Sequence, residues 1–384
     1  MKYDEFDKYL QQGEPGKRAK AQAWKTAIGL QDVDGLTPSA YLLDAAKRHI
    51  DGDISIDEVR ELLDTYYNSK TARTDDENKT EEADKVSANI TKLLNEQTFS
   101  FSPSGLASIH ERIFDGVFKF AGTFRKCNIS KREWVLRGQS VLYVSFAEIK
   151  PALEHDFNNE KEFSYRDIPP VEMIRHFAKF ISDVWQIHPF REGNTRTTAV
   201  FAIKYLRAMG FTVSNDLFAE HSWYFRNALV RANYRNYAQN IEPEFEHLEK
   251  FFRNLLLGEH NELKNRHLII AAPEELTPQA APAETGQVPD KPTGQAPDKF
   301  LPDDPRVHQL IGALGNNELT VKEMLALVGL KHRETFLDNY LNPAIKTGFV
   351  RLLYPDSPRH PRQRYLLTVK GLAAYQEMKE RSGK

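Results

Sequence analysis

Apolar residues recur at helical spacing over most of the chain. Val171, Ile174, Phe177, Ala178, Ile181, Val184 and Trp185 follow the i, i+3, i+4, i+7 pattern of a long buried helix. The pattern breaks over 188–195, resumes with Val200, Phe201, Ile203, Tyr205 and Leu206, and stops at Gly210. Nearer the start, Thr37-Pro38 reads as a cap followed by Pro at the first helical position. Tyr41, Leu42, Ala45, Ala46 and Ile50 then keep the period until Gly52. Ser55 with Glu58 three residues later is a capping-box signature ahead of Val59, Leu62, Leu63 and Tyr66. The segment 123–146 is instead β-branched and aromatic around a central Gly, which predicts a hairpin inside an otherwise helical region.

Breaks in the pattern divide the chain. Residues 1–70 form a small helical segment, 71–84 a charged connector, and 85–268 the main helical core. A Pro-punctuated linker over 269–304 contains a near-repeat, GQVPDK and GQAPDK. Residues 305–384 then read as three short helices, two strands around a Pro-rich loop, and a last helix, which is the order of a winged helix. The fold class expected is mainly α.

Composition narrows the class. With 384 residues the chain is too long for one ordinary domain. Its 52 Lys and Arg nearly balance 54 Asp and Glu, which argues against wholesale polyanion binding. A single cysteine, Cys127, excludes an intramolecular disulfide framework and a Cys-based zinc site. The first residues lack an apolar signal-peptide stretch and no apolar run is long enough to span a bilayer. A cytoplasmic protein without a membrane partner is therefore expected.

The break between the two long helices reads His188-Pro189-Phe190-Arg191-Glu192-Gly193-Asn194-Thr195-Arg196. A loop feeding a helix N-terminus offers outward backbone N–H groups and a favourable dipole to an anion, and a nearby Arg adds a fork donor for phosphate. A carboxylate there is repelled by phosphate unless a divalent cation intervenes, so Glu192 points to Mg²⁺. His188 could take a proton from an incoming hydroxyl. Base, metal carboxylate, anion nest and arginine together suggest phosphoryl or nucleotidyl transfer. The structural alternative is a His-capped helix end followed by an ordinary Gly-Asn turn.

The string resembles the Fic family signature, His-Pro-Phe-x-(Asp/Glu)-Gly-Asn-Gly-Arg-x-x-Arg, matching seven of nine specified positions from His188 through Arg196. IHERIFDGVFKFAGTFRK (109–126) and FRNALVRANY (225–234) resemble flanking segments of that family. The resemblance implies a helical transferase that moves AMP from ATP to a Ser, Thr or Tyr hydroxyl of a target protein. His188 would be the base and Phe190 a core anchor. Glu192 would hold Mg²⁺, and Gly193, Asn194 and Thr195 would form the anion hole. Arg196 would bind the phosphates of the leaving group, and Arg191 could compensate for the arginine missing at position 199. Ser140, Val141, Leu142 and Tyr143 would form the edge strand of a target-docking flap.

Two positions depart from the signature. Thr195 stands where Gly is expected, so its bulk could narrow the anion hole or its hydroxyl could replace a contact. Ala199 stands where the last Arg is expected, which weakens the case for ATP as donor. Residues 24–59 resemble antitoxin-like segments that place an inhibitory glutamate near the nucleotide. Here Thr26 is followed four residues later by Leu30. Glutamate–arginine autoinhibition is accordingly not expected. The last module could take DNA or a protein as partner through Lys331, His332, Arg333, Arg351, Arg359, His360, Arg362 and Arg364. A homodimer is compatible with the same module. A nucleotide-binding regulator acting through winged-helix DNA binding is the alternative to an active enzyme.

Overall fold

In the computed structural model of the protein, the described residues are 6–12, 14–69, 74–213, 216–271, 301–355, 357–358, 360–382. Most of the expected linker and Arg359 lie outside them. The chain forms two compact units, one from Met1–Ile129, Tyr143–Tyr165 and Lys179–Arg226, the other from Ser130–Leu142, Arg166–Ala178 and Asn227–Lys384. Among the described residues no helix is long and apolar enough to cross a membrane.

The chain begins with helices α1 (Asp7–Gln12), α2 (Pro15–Gly29), α3 (Ala40–Asp51), α4 (Ile56–Asn68), α5 (Asp75–Asn95) and α6 (Pro103–Ile113). Ser39 rather than Thr37 caps α3, accepting from the backbone of Leu42, and Gly52 closes it at φ 93°. The Ser55–Glu58 capping box that starts α4 is formed as the sequence predicts. Residues read as a charged connector are helical from Asp75, because Thr74 and Glu77 make a second capping box. The first helices share one core with α5: Phe6, Trp24, Leu42, Ile50, Val59, Leu63 and Tyr67 pack with Ala88. Asp84 of α5, wholly buried, accepts from the Ser39 backbone and from Tyr67 Oη at 2.8 and 2.7 Å, and ties the three elements together.

Next come α7 (Ile149–Glu162), α8 (Pro170–Ile187), α9 (Asn194–Ala208), α10 (Asp216–Glu220), α11 (Ser222–Asn233) and α12 (Glu246–Leu257). α8 and α9 are the two long helices predicted from periodicity. α9 is buried on nearly every side, so its polar residues need internal partners. Lys204, for example, donates to the carbonyls of Leu93 and Glu96 at the C-terminus of α5, both at 2.9 Å.

The hairpin expected over 123–146 is not a strand pair. The segment is irregular around a short 3₁₀ turn, Trp134–Leu136. Glu133 N–H donates to the Gln139 carbonyl and the Lys131 N–H to Ser140 Oγ, which closes a loop without a ladder. Two strands with no third to pair with are marginal, and here the backbone is held by side-chain and turn contacts instead. Val141 and Tyr143 are buried and Leu142 is exposed, so side chains alternate as in a strand although no ladder forms.

The last part of the second unit has its own core. α13 (Pro305–Leu314), α14 (Val321–Leu327), α15 (Arg333–Phe336) and α16 (Asn342–Lys346) precede strands β1 (Val350–Leu352) and β2 (Tyr365–Leu367) and helix α17 (Val369–Ser382). α15 and α16 join through a π-helical turn, Leu337–Leu341. The strands pair antiparallel with Val350 opposite Leu367, and Leu319 bridges Tyr365. Val307, Leu310, Leu314, Met324, Phe336, Leu341, Phe349 and Leu367 form the core. This element order is the one read from the sequence.

Candidate active site

The loop from α8 to α9 is held from below by two residues that sequence patterning does not flag. Arg125, 3% exposed, donates through Nε to the His188 carbonyl at 2.8 Å and through Nη1 to the Cys127 carbonyl at 2.7 Å, and a third bond reaches the Val144 carbonyl. Its backbone N–H donates to the Pro189 carbonyl at 2.8 Å. These bonds hold His188 at φ 50°, a left-handed conformation that is costly for a residue with a Cβ. His110, fully buried, stacks on Phe190 at 3.8 Å. Gly122 N–H donates to its Nδ1 at 2.9 Å, so Nε2 carries the proton and donates to the Glu192 carbonyl at 3.1 Å. Burial lowers the pKa of His110 to about 4. Both residues lie in the segment 109–126 that resembles the Fic family, which was the available signal.

His188 is 3% exposed. Its Nδ1 lies 3.2 Å from the Trp185 carbonyl, an acceptor, which places the proton on Nδ1 and makes Nε2 the basic nitrogen. The ring packs against Tyr143 at 4.1 Å and edge-on to Trp185 at 5.0 Å. Of the four expected flap residues, Tyr143 is thus in the first unit and touches His188. Ser140, Val141 and Leu142 belong to the second unit.

Gly193 caps α9 at φ 76°, and a Cβ there would meet Phe114 Cζ at 2.1 Å, so the loop admits only glycine. Gly193 offers no side-chain cap. The first turn of α9 therefore presents the N–H groups of Asn194, Thr195 and Arg196 without intrahelical acceptors, the physical basis of an anion site. Asn194 uses both ends of its amide on the loop, accepting from Phe190 N–H at 2.9 Å and donating to Phe190 O at 2.8 Å. Its side chain closes the turn, and what it offers an anion is its backbone. Thr195 Oγ1 accepts from the Trp185 indole at 3.0 Å in the core. That bond gives the departure from glycine a structural role.

Glu192 and Arg191 are exposed, with Arg191 over the Phe120 ring at 5.2 Å. Among the described residues no group of three or more His, Cys, Asp or Glu is placed to hold a metal. A single exposed carboxylate beside an anion site nonetheless suits Mg²⁺, which binds one or two carboxylates together with substrate phosphates.

Arg196 differs from the expected open phosphate ligand. It is 2% exposed, and its Nη1 donates to Gln31 Oε1 at 3.0 Å and its Nη2 to Glu82 Oε1 at 2.7 Å. Asp34 Oδ2 lies 2.8 Å from Nε, off the N–H axis, as an ion pair. The guanidinium also covers the Phe114 ring at 4.8 Å. Ala199 is wholly buried in α9. The glutamate–arginine pair that was not expected at position 199 is absent there, but two carboxylates do pair with Arg196. The pairing occurs at Arg196 rather than at position 199, and the partners come from the 3₁₀ turn Leu30–Asp34 and from α5. Glu192 points to solvent and Arg196 inward, so the two do not line one hollow in this conformation.

Residues 100–206 match the Fic/DOC family model, and residues 305–368 match the model described as Filamentation induced by cAMP protein Fic-like, C-terminal domain. Two segments of the chain are thus similar to the Fic/DOC domain and to the Fic-like C-terminal domain. Similar solved structures include a Fic family protein from Desulfovibrio desulfuricans G20, 18% identical over 95% of this chain and 93% of that one, with a TM-score of 0.42. The N-terminal Fic domain of a Bartonella effector protein from Bartonella sp. AR 15-3 is 20% identical over 48% of this chain and 84% of that one, with a TM-score of 0.39.

Proposed function

We propose that the chain transfers AMP, or another nucleoside monophosphate, from a nucleoside triphosphate to a Ser, Thr or Tyr hydroxyl of a target protein. The observation that carries the reading is the pairing of an Nδ1-protonated His188 with the N-terminus of α9, which has no side-chain cap, six residues on. In the reaction the hydroxyl oxygen bonds to the α-phosphorus and its proton passes to His188 Nε2. The α–β phosphoanhydride bond breaks and pyrophosphate leaves. The N–H groups of Asn194, Thr195 and Arg196 stabilise charge on the α-phosphoryl oxygens. Arg196, once released by Glu82 and Asp34, receives the leaving phosphates. Glu192 would hold Mg²⁺, which when bound neutralises phosphate charge.

Both His188 and Arg196 are covered in this conformation, so turnover requires Tyr143 and the Leu30–Asp34 turn to move. That observation also favours a second reading, a nucleotide-binding regulator with little turnover, because two carboxylates neutralise Arg196. Calorimetric titration of ATP, GTP, UTP and CTP with Mg²⁺ tests the binding common to both. Failure of all four to bind, in wild type and in Glu82→Gln, overturns both readings.

A further inference from the structure

We infer that the Fic-like C-terminal domain carries a docking groove for an extended, acidic peptide segment with apolar anchor side chains, supplied by a partner protein. The groove, about 700 Å³, is lined by α14, the start of α15 and the loop between the strands. Its floor is apolar: Val321, Leu325, Pro358 and Tyr365. Lys322, Arg333 and His360 lie along it, and among the described residues no carboxylate lines it. Glu323, beside Lys322, accepts from the Thr320 N–H at 2.7 Å and faces Arg364 at 3.7 Å.

Lys322 and Arg333 each lie in the first turn of a helix, where positive charge costs stability. Arg333 opens a helix just after Lys331 and His332, at the end where the dipole disfavours positive charge, and its cap position has no side-chain bond. The charge balance is local as well. Residues 301–384 contain 13 Lys and Arg against 9 Asp and Glu, in a chain whose net charge is -2. A partner with negative charge recovers that cost.

Described residues of the loop wall bond to one another. Gln363 accepts from Tyr354 N–H at 3.0 Å and donates to Tyr354 O at 2.9 Å, and Tyr354 stacks near His360 at 4.2 Å. Arg364 donates to the Glu318 carbonyl at 2.7 Å. A groove already held open takes a ligand without an ordering cost on the protein side.

A nucleic acid fits less well. The helix after Arg333, which would enter a groove of DNA, exposes Glu334 and Asp338, and like charge against phosphate is unfavourable. An apolar floor between prolines and a tyrosine suits side chains of a peptide better than a sugar-phosphate backbone.

The test uses full-length protein and fluorescence anisotropy with four labelled probes. Three are peptides of about twelve residues. The first alternates Glu or Asp with Leu, the second replaces Leu with Ser, and the third replaces the acids with Lys. The fourth probe is duplex DNA of about twenty base pairs. The inference predicts that the first peptide binds at least roughly ten-fold more tightly than the others, and that Lys322→Glu with Arg333→Glu removes that preference. Both side chains are exposed, so unchanged melting curves confirm an intact fold, and Leu325→Asp tests the floor separately. Equal binding of the Ser peptide, no binding of any peptide by the wild type, or tighter DNA binding lost with the same two substitutions would each overturn it.

Discussion

Arg196 and Glu82 lie 2.7 Å apart although 114 positions separate them in the chain. The contact places a buried cation, the proposed phosphate ligand, in the hands of a carboxylate from α5. Breaking a buried pair on the carboxylate side frees the guanidinium for another anion. Glu82→Gln is therefore expected to raise nucleotide affinity by roughly ten-fold, because the phosphate no longer competes with a full charge. Asp34→Asn should act in the same direction and less strongly, since its approach is off the hydrogen-bond axis. Calorimetry with an ATP and Mg²⁺ titrant checks both, and unchanged affinity in the double substitution contradicts the assignment.

Thr195→Val removes the hydroxyl that accepts from Trp185 while keeping the side-chain volume. A buried indole N–H left without an acceptor costs about 1–3 kcal/mol, which denaturant unfolding should register. Nucleotide affinity should change little, because the threonine offers the anion its backbone. A large loss of binding with unchanged stability would show that the hydroxyl faces the phosphate instead.

Gly193→Ala meets two obstacles, a φ of 76° and Phe114 within 2.1 Å of the added carbon. The expected result is a loss of about 2 kcal/mol or more and a collapse of nucleotide binding. A companion Phe114→Leu should recover part of the stability. No recovery would mean that the backbone conformation, rather than the ring, sets the cost.

Acid should destabilise the first unit before carboxylates protonate. Burial depresses the pKa of both His49 and His110 to about 4, and each accepts a hydrogen bond on Nδ1 that only the neutral ring can make. The unfolded chain binds these protons nearer pH 6.5, so the stabilisation is fully present above that value and declines as pH falls from about 6.5 toward 4. Unfolding followed at Trp fluorescence across that window should show the slope, and His49→Gln should make it shallower. A pH-independent midpoint between 6.5 and 4 would contradict it.

Much of the frame was legible because it is local. Periodicity in α8 and α9, the Ser55–Glu58 box and the order of elements beyond residue 305 all arise from neighbours within a few positions. The loop from His188 to Arg196 was legible from its residue types. The contacts that orient it were not, since Arg125 and His110 act across 63 and 82 positions. The β-branched stretch 123–146 misled because its alternation is met by turn and side-chain bonds instead of a ladder. The charged run after Thr74 misled in the opposite sense, its acids being the first turn of α5. Nothing local to residue 196 foretold that Gln31, Asp34 and Glu82 converge on it.

The most direct measurement is transfer itself. Full-length protein is incubated with Mg²⁺, α-labelled nucleotides and lysate, in wild type, Glu82→Gln and Glu82→Gln with His188→Ala. The account predicts labelled protein bands that strengthen in Glu82→Gln and vanish when His188 is removed. Label that persists without His188, or none from any nucleotide after Arg196 is released, would contradict it.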